Sequence, residues 1–455
     1  MRALLALLMG CAPTKKTAPD SDASTEPSDR APQEVAKPTN KRGAGTVPQA
    51  VKQATEVSTP QHLLALDEEW GYESLEETVW LWRKSPSDYW KYFKGSELEA
   101  VQEISDGAIG LIRASWLVNL FDDGGRIEKR QSLPPEAFVS LKEIKSAGIL
   151  EIPLKGGLRI IVLSLRWLHP DHPDPRRAQL SRVAHVLRAF IEADKACGRS
   201  GVFGVVWDYM SLHQSPRNEV EEEAFRRALP ALNVVYAHPY TRALMLTAMP
   251  ADWPSAYDLP ETANAAQYFD SGWCFGEWGM ATLVKNRRFV LDLGVLDQAC
   301  LTRIEQRPVS SYVGLVELCT QGSAKRRPPL LPTEFTIALD QRTFTNRRDD
   351  SLRVSGLYER AFRLELGRID KLYLFGLEWD DDAAEQFAKV IHSGVCRCLQ
   401  WADLNANHIS NRGAQKIADA ARDQLAPGAV ICLVDNPCSQ AFHWIQVGEG
   451  KTLVR

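Results

Sequence analysis

Two stretches near the C-terminus, thirty residues apart, carry similar residues at the same offsets, and no other feature narrows the fold as much. Leu372-Tyr373-Leu374-Phe375-Gly376-Leu377 is followed by Ala383-Ala384, Phe387-Ala388 and Ile391. Ala402-Asp403-Leu404-Asn405-Ala406-Asn407-His408-Ile409 is followed by Gly413-Ala414, Ile417-Ala418 and Ala421. A third start, Ile431-Cys432-Leu433-Val434-Asp435-Asn436, comes 29 residues later. Each unit reads as a short strand and a turn, continued in the first two by an apolar helix. Such a unit cannot bury its apolar face alone and must stack on its neighbours. Two to three units make a short stack, so the block is expected to lean on the preceding domain. The Asn can satisfy backbone groups where the chain turns off the sheet. The first unit has Leu377 at that place, and the third ends before a full helix.

Upstream, strand and helix signals alternate. Leu158 to Ser164 is a nearly continuous apolar run, as expected for a strand buried on both faces. Gln179 to Ala193 is amphipathic, Val202 to Trp207 is a second buried strand, and Glu219 to Leu232 is helical. Arg242 to Thr247 forms a third strand, Gly276 to Val284 a helix, and Arg288 to Leu293 a fourth strand. This order predicts an open, mostly parallel α/β sheet with helices on both faces. Functional loops in such sheets lie at the carboxyl ends of the strands.

Before this region the chain is heterogeneous. Met1 to Cys11 combines Arg2, about eight apolar residues and Leu8-Met9-Gly10-Cys11. That resembles a lipoprotein signal with Cys11 as the acylated residue, against an incidental apolar start. The stretch is far too short to span a bilayer, and no other segment approaches that length. Residues 12–60 are poor in large apolar side chains and read as a disordered linker. Residues 61–150 read as a helical leader, with aromatics Trp80, Trp82, Tyr89, Trp90 and Tyr92 and one helix over 98–121. Nine scattered cysteines without a CxxC pair argue for free thiols in a reducing, cytoplasmic compartment. The net charge of −4 and the lack of a basic run disfavour nucleic acid.

Three marks sit where loops follow strands or precede a helix: Ser164-Leu165-Arg166-Trp167, Trp207-Asp208, and Ser271-Gly272-Trp273-Cys274-Phe275-Gly276-Glu277. In order and spacing they resemble TIR signalling domains, over about residues 157–295. The long acidic stretch from Asp208 to Phe225, and Leu168 to Pro175, depart from the standard pattern and resemble a divergent branch found in protists. The C-terminal units resemble ribonuclease-inhibitor-type leucine-rich repeats. The resemblance implies a flavodoxin-like open parallel sheet at 151–300, a connecting segment at 301–368 and repeats at 369–445.

Enzymatic TIR domains split the bond between nicotinamide and ribose in NAD and depend on a glutamate four residues after the signature tryptophan. Here that is Glu277. A carboxylate beside the ribose would stabilise developing oxocarbenium charge. Arg166 is then placed to hold a phosphate or ribose oxygen, and Trp167 and Trp273 to stack on a ring, with Ser164 and Asp208 completing the substrate site. NAD would be a substrate, with no cofactor or metal. Each residue also has a plainer reading: Glu277 as a helix glutamate, Trp273 and Cys274 as core, Arg166 paired with Asp208. His169, Asp171, His172 and Asp174 have metal-ligand chemistry, but the prolines among them favour a rigid turn. A Cys274 hydrolase with His238 or His213 conflicts with the tryptophan context. No P-loop or GxGxxG occurs. The expected function is that of a TIR-like signalling or defence protein, self-assembling or hydrolysing NAD, whose repeats bind a protein partner. The alternative is a non-catalytic interaction module built from the same parts.

Overall fold

The computed structural model describes residues 103–146, 158–198, 201–239, 241–261, 263–322, 326–344, 347–448 and 452–454. The signal-like start, the linker and the Trp80–Tyr92 aromatics lie outside them. Strands β1 (Ile112–Arg113), β2 (Leu158–Leu165), β3 (Val202–Val206), β4 (Arg242–Leu246) and β5 (Val290–Asp292) form one sheet in the order β1-β3-β2-β4-β5. The last four are parallel, and β1 runs antiparallel along β3. The longer helices are α1 (Ala114–Asp122), α2 (Ala178–Ala196), α3 (Glu219–Ala237), α4 (Gly272–Ala281), α5 (Gln298–Gln306) and α6 (Pro308–Gly322). Then come α7 (Pro332–Asp340), α8 (Arg347–Arg368), α9 (Asp381–His392) and α10 (Asn411–Gln424).

The pleat of β2 explains its apolar run. Ile161, Leu163 and Leu165 enter a core shared with α1, α2, α5 and α6, whereas Ile160 and Val162 point to the opposite core, built with α3, α4, α7 and α8. Both faces are covered. At the N-terminus of α3, Asn218 accepts from the Glu221 amide while the Glu221 carboxylate accepts from the Asn218 amide. Much of the acidity that reads as a loop is therefore the first turn of a helix, where Glu219, Glu221 and Glu222 favour the dipole.

Three expectations are corrected. The single helix over 98–121 is interrupted: the chain turns at Gly107 with φ of +81°, and β1 pairs Ile112 with Val205 before α1 begins. Ile104, Ile109 and Ile112 mimic a helical period because all are buried. The segment 301–368 is no simple connector, since most of it folds into α5 to α8. The Ser271–Glu277 signature does not precede a helix; Gly272 onwards is the helix α4 itself.

Glycine hides the first turn of that helix from a propensity reading. A Cβ at Gly276 would meet Val354 Cγ1 at 2.3 Å, and one at Gly272 the Phe344 ring at 2.0 Å. The glycines thus let α4 approach α8 and the chain after α7. Alanine gains about 1 kcal/mol in helix propensity, but overpacking against a stiff valine costs about 1–3 kcal/mol. Gly276→Ala is expected to be destabilised by up to about 2 kcal/mol net, read as a lower urea midpoint. An unchanged midpoint would show that Val354 moves aside freely.

The C-terminal units form a second sheet. Strands β6 (Lys371–Tyr373), β7 (Trp401–Asp403) and β8 (Val430–Cys432) are parallel, with α9 and α10 as the intervening helices. After β8 the chain makes a short 3-10 turn and doubles back as β9 (Trp444–Val447), which pairs antiparallel with β8 and β10 (Thr452–Val454). Asn407 is buried and bridges the units: Oδ1 accepts from the amides of Leu377 (2.9 Å) and Trp379 (3.1 Å), and Nδ2 donates to the carbonyls of Leu374 and Leu404, both at 2.9 Å. The block does lean on what precedes it. One apolar core runs from Met245 and Trp273 through Phe362 to Leu372 and Phe387. Arg287 Nη1 donates to the Gly376 carbonyl at 3.0 Å, and Trp379 Nε1 to that of Arg326 at 2.7 Å.

Candidate functional site

The first sheet reverses its direction of growth beside β2: the chain passes from β2 outward to β3, then returns to place β4 on the other side. Ligands in open α/β sheets bind in the crevice that such a reversal leaves at the carboxyl ends of the strands. Ser164, near that end of β2, faces the same side as Val162, and α4 lies across it with Glu277 pointing inward. Ser164 Oγ donates to Glu277 Oε2 at 2.6 Å and lies 2.5 Å from the hydroxyl of Tyr268, which is 3.4 Å from Met245 Sδ in β4. Glu277 is 6% exposed. Burial, reinforced by the nearby charge of Asp208, pushes its carboxyl up to about 8, against the hydrogen bond from Ser164. At neutral pH the group is mainly uncharged.

The other expected site residues separate into two spaces. Val206, Asp208, Asn233, Tyr236, Trp273 and Glu277 line a cavity between α3 and α4, with about 460 Å³ of atom-free space including its opening. Arg166, Trp167, His169, Trp253, Asn264 and Trp273 line a different cleft of about 510 Å³, measured likewise. Trp273 belongs to both, whereas Glu277 lines only the first of the two and Arg166 and Trp167 only the second. Arg166 Nε donates to the Ala266 carbonyl at 3.0 Å, and its Nη2 to that of Asn264. Trp167 Nε1 donates to Asp208 Oδ2 at 2.9 Å, and Asp208 Oδ1 also accepts from the Tyr209 amide at 2.8 Å. Asp208 thus holds the ring of Trp167 in place.

Cys274 is buried, its thiol pushed up to about 12 by burial and then by Glu277, and Sγ is 3.6 Å from the Leu165 carbonyl. A thiol held protonated is a poor nucleophile. The His169–Asp174 loop builds a turn: His169 Nδ1 accepts from the Asp171 amide at 3.2 Å, and His172 Nδ1 from the Asp174 amide at 3.0 Å. His172 Nε2 lies 2.9 Å from the Ile127 carbonyl, and Asp174 Oδ2 accepts from the Leu180 amide at 2.7 Å. Among the described residues no group of three or more His, Cys, Asp or Glu is arranged to hold a metal ion, and no helix is long and apolar enough to cross a membrane.

Sequence reasoning missed Tyr268, Tyr236 and Asn233. Tyr268 is joined to Ser164 across 104 residues, and no local pattern announces that. Asn233 did carry a signal, as a polar residue on the apolar stripe of Phe225, Leu229, Leu232 and Tyr236. No family model, curated protein or solved structure matches the chain.

Proposed function

We propose that the chain is a signalling or defence protein that acts through protein contact. In this reading a TIR-like module of flavodoxin-like topology carries a short leucine-rich-repeat array, and Glu277 is a structural acid. The carrying observation is the outward face of the repeat sheet. Tyr373 is 40% and Trp444 43% exposed there, and Trp401 is half-buried with its ring centroid 5.9 Å from that of Trp444. Exposed aromatics clustered on one face are characteristic of contact surfaces. The parallel order β3-β2-β4-β5, or 2-1-3-4 by chain order, supports the flavodoxin-like topology. The two β–α units at thirty-residue spacing, with Asn407 laddered to the unit before, support the repeat reading.

A non-catalytic Glu277 is supported by its raised pKa, because stabilising an oxocarbenium ion requires the ionised carboxylate. The position of Glu277 with Asp208 and Trp273 in one cavity favours NAD hydrolysis as the second reading. The purified protein and Glu277→Ala are expected to give the same NAD loss as buffer. NAD consumed by the wild type and spared by the variant would establish the hydrolase instead. For the contact surface, the test is affinity for a partner identified by crosslinking of the full chain. The Tyr373→Ser/Trp444→Ser variant should bind that partner at least about tenfold more weakly, with its unfolding midpoint kept. Equal binding would move the contact elsewhere. Self-association of the α/β module is read from sedimentation velocity of the same chain.

A further inference from the structure

Two residues that line the cavity between α3 and α4 carry buried polar atoms that neither the fold nor the contact reading uses. Asn233 is wholly buried, and neither its amide oxygen nor its amide nitrogen has a hydrogen-bond partner among the described residues. The Nε1–H of Trp273, a residue that lines this cavity and the Arg166 cleft, has none either. Each such atom costs about 1–3 kcal/mol if left unsatisfied, and native interiors rarely leave three together. A Leu at position 233 would continue the apolar stripe of α3 at no such cost.

The remaining lining limits what can enter. Leu229, Leu232, Met280 and Leu357 are aliphatic or thioether side chains, so most of the wall is apolar. Glu277 is mainly uncharged at neutral pH, and Asp208 already accepts from Trp167 and Tyr209. An anion would meet Asp208 without a cation in the wall. A cation would lose its hydration against aliphatic surface. A neutral molecule with an aliphatic body fits the wall. Its polar end must both accept, from the Asn233 amide nitrogen and the Trp273 indole, and donate, to the Asn233 oxygen. A carboxamide does both from adjacent atoms. A buried water making about three hydrogen bonds would satisfy the same atoms, so the amide binds by displacing it.

We propose that this cavity is a binding site for a small uncharged aliphatic amide, recognised by Asn233 and the indole N–H of Trp273. The inference is independent of the contact surface on the repeat sheet and requires no turnover at Glu277.

The test uses the full chain and pentanamide as the probe, with pentanoate and pentylammonium as charged controls of the same length. Calorimetric titration is expected to show saturable binding of pentanamide and at least tenfold weaker binding of either control. Asn233→Leu is expected to fold with an unfolding midpoint at or above the wild-type value and to bind pentanamide at least about tenfold more weakly. Trp273→Phe removes the indole donor while keeping an aromatic ring. It should weaken binding about three- to tenfold and identifies the Trp273 indole resonance, which should shift on titration of the wild type. Pentanamide that does not bind, or that binds Asn233→Leu as tightly as wild type, overturns the proposal. So does pentanoate that binds equally well, or an Asn233→Leu midpoint well below wild type, which would show that the Asn233 amide is satisfied within the fold.

Discussion

Replacing Asn407 by alanine is expected to destabilise the protein by about 3–5 kcal/mol, among the largest losses available to a single substitution here. The side chain is 2% exposed and makes four hydrogen bonds of 2.9–3.1 Å to backbone groups of two successive repeat units. Alanine leaves the Leu377 and Trp379 amides and the Leu374 carbonyl without these partners in a place that water does not reach, while the Leu404 carbonyl keeps its bond from Asn436. Asn436 supplies the internal control. Its Oδ1 accepts from the Ile409 amide at 3.0 Å and its Nδ2 donates to the Leu404 and Leu433 carbonyls at 2.8 and 3.1 Å, at 9% exposure. With one fewer close bond and more solvent, Asn436→Ala should cost less than Asn407→Ala. Urea unfolding of the three proteins decides the matter, and equal midpoints for wild type and Asn407→Ala would refute the ladder.

The second large effect is a dependence on pH that Glu277→Gln should remove. The Glu277 carboxyl sits at about 8 in the folded chain, against 4.5 for an ordinary glutamate. Below 4.5 both folded and unfolded chains hold the proton, and the contribution of this group to stability is fully present. As pH rises, the unfolded chain loses its proton first, so ionisation draws the equilibrium toward unfolding until the folded carboxyl also ionises near 8. The loss across that window is on the order of 5 kcal/mol. Glutamine keeps an acceptor for Ser164 and does not titrate. The variant is therefore expected to match wild type near pH 5 and to exceed it by a widening margin up to about pH 8. A margin that stays constant from pH 5 to 8.5 would mean that Glu277 is ionised throughout, and would restore the catalytic reading.

Much of this architecture could be read from the chain, for definable reasons. Strands β2, β3 and β4 were visible because burial on both faces leaves them nearly uninterrupted apolar runs. The repeats were visible because stacking imposes a period. What stayed hidden depended on partners distant in sequence. The α4 helix was read from Gly276 onward, but its start at Gly272 was not, since the close approach of Gly272 to Phe344 is visible only in the fold. The two-residue strand β1 exists because Ile112 finds the free edge of β3, 93 positions along. The candidate site was half legible. Glu277, Ser164 and Asp208 do gather at the carboxyl ends of the strands, but the opening of Arg166 and Trp167 onto a separate cleft follows from the carbonyls of Asn264 and Ala266, in a loop without a readable pattern.

Helix α8 couples the two sheets of this molecule. It presents Leu357 to the cavity beside Glu277 and ends at Arg368, two residues short of the first strand of the repeat sheet, with Leu366 and Ile369 in the shared core. The distance from Leu357 to the end of the helix is ~16 Å at 1.5 Å per residue. Only Ile369 and Asp370 separate the helix from β6, so the position of the first repeat strand is tied to that of the cavity wall. The joint between the two sheets is therefore a strut, and tilting one without the other would require breaking the packing of α8 on α4.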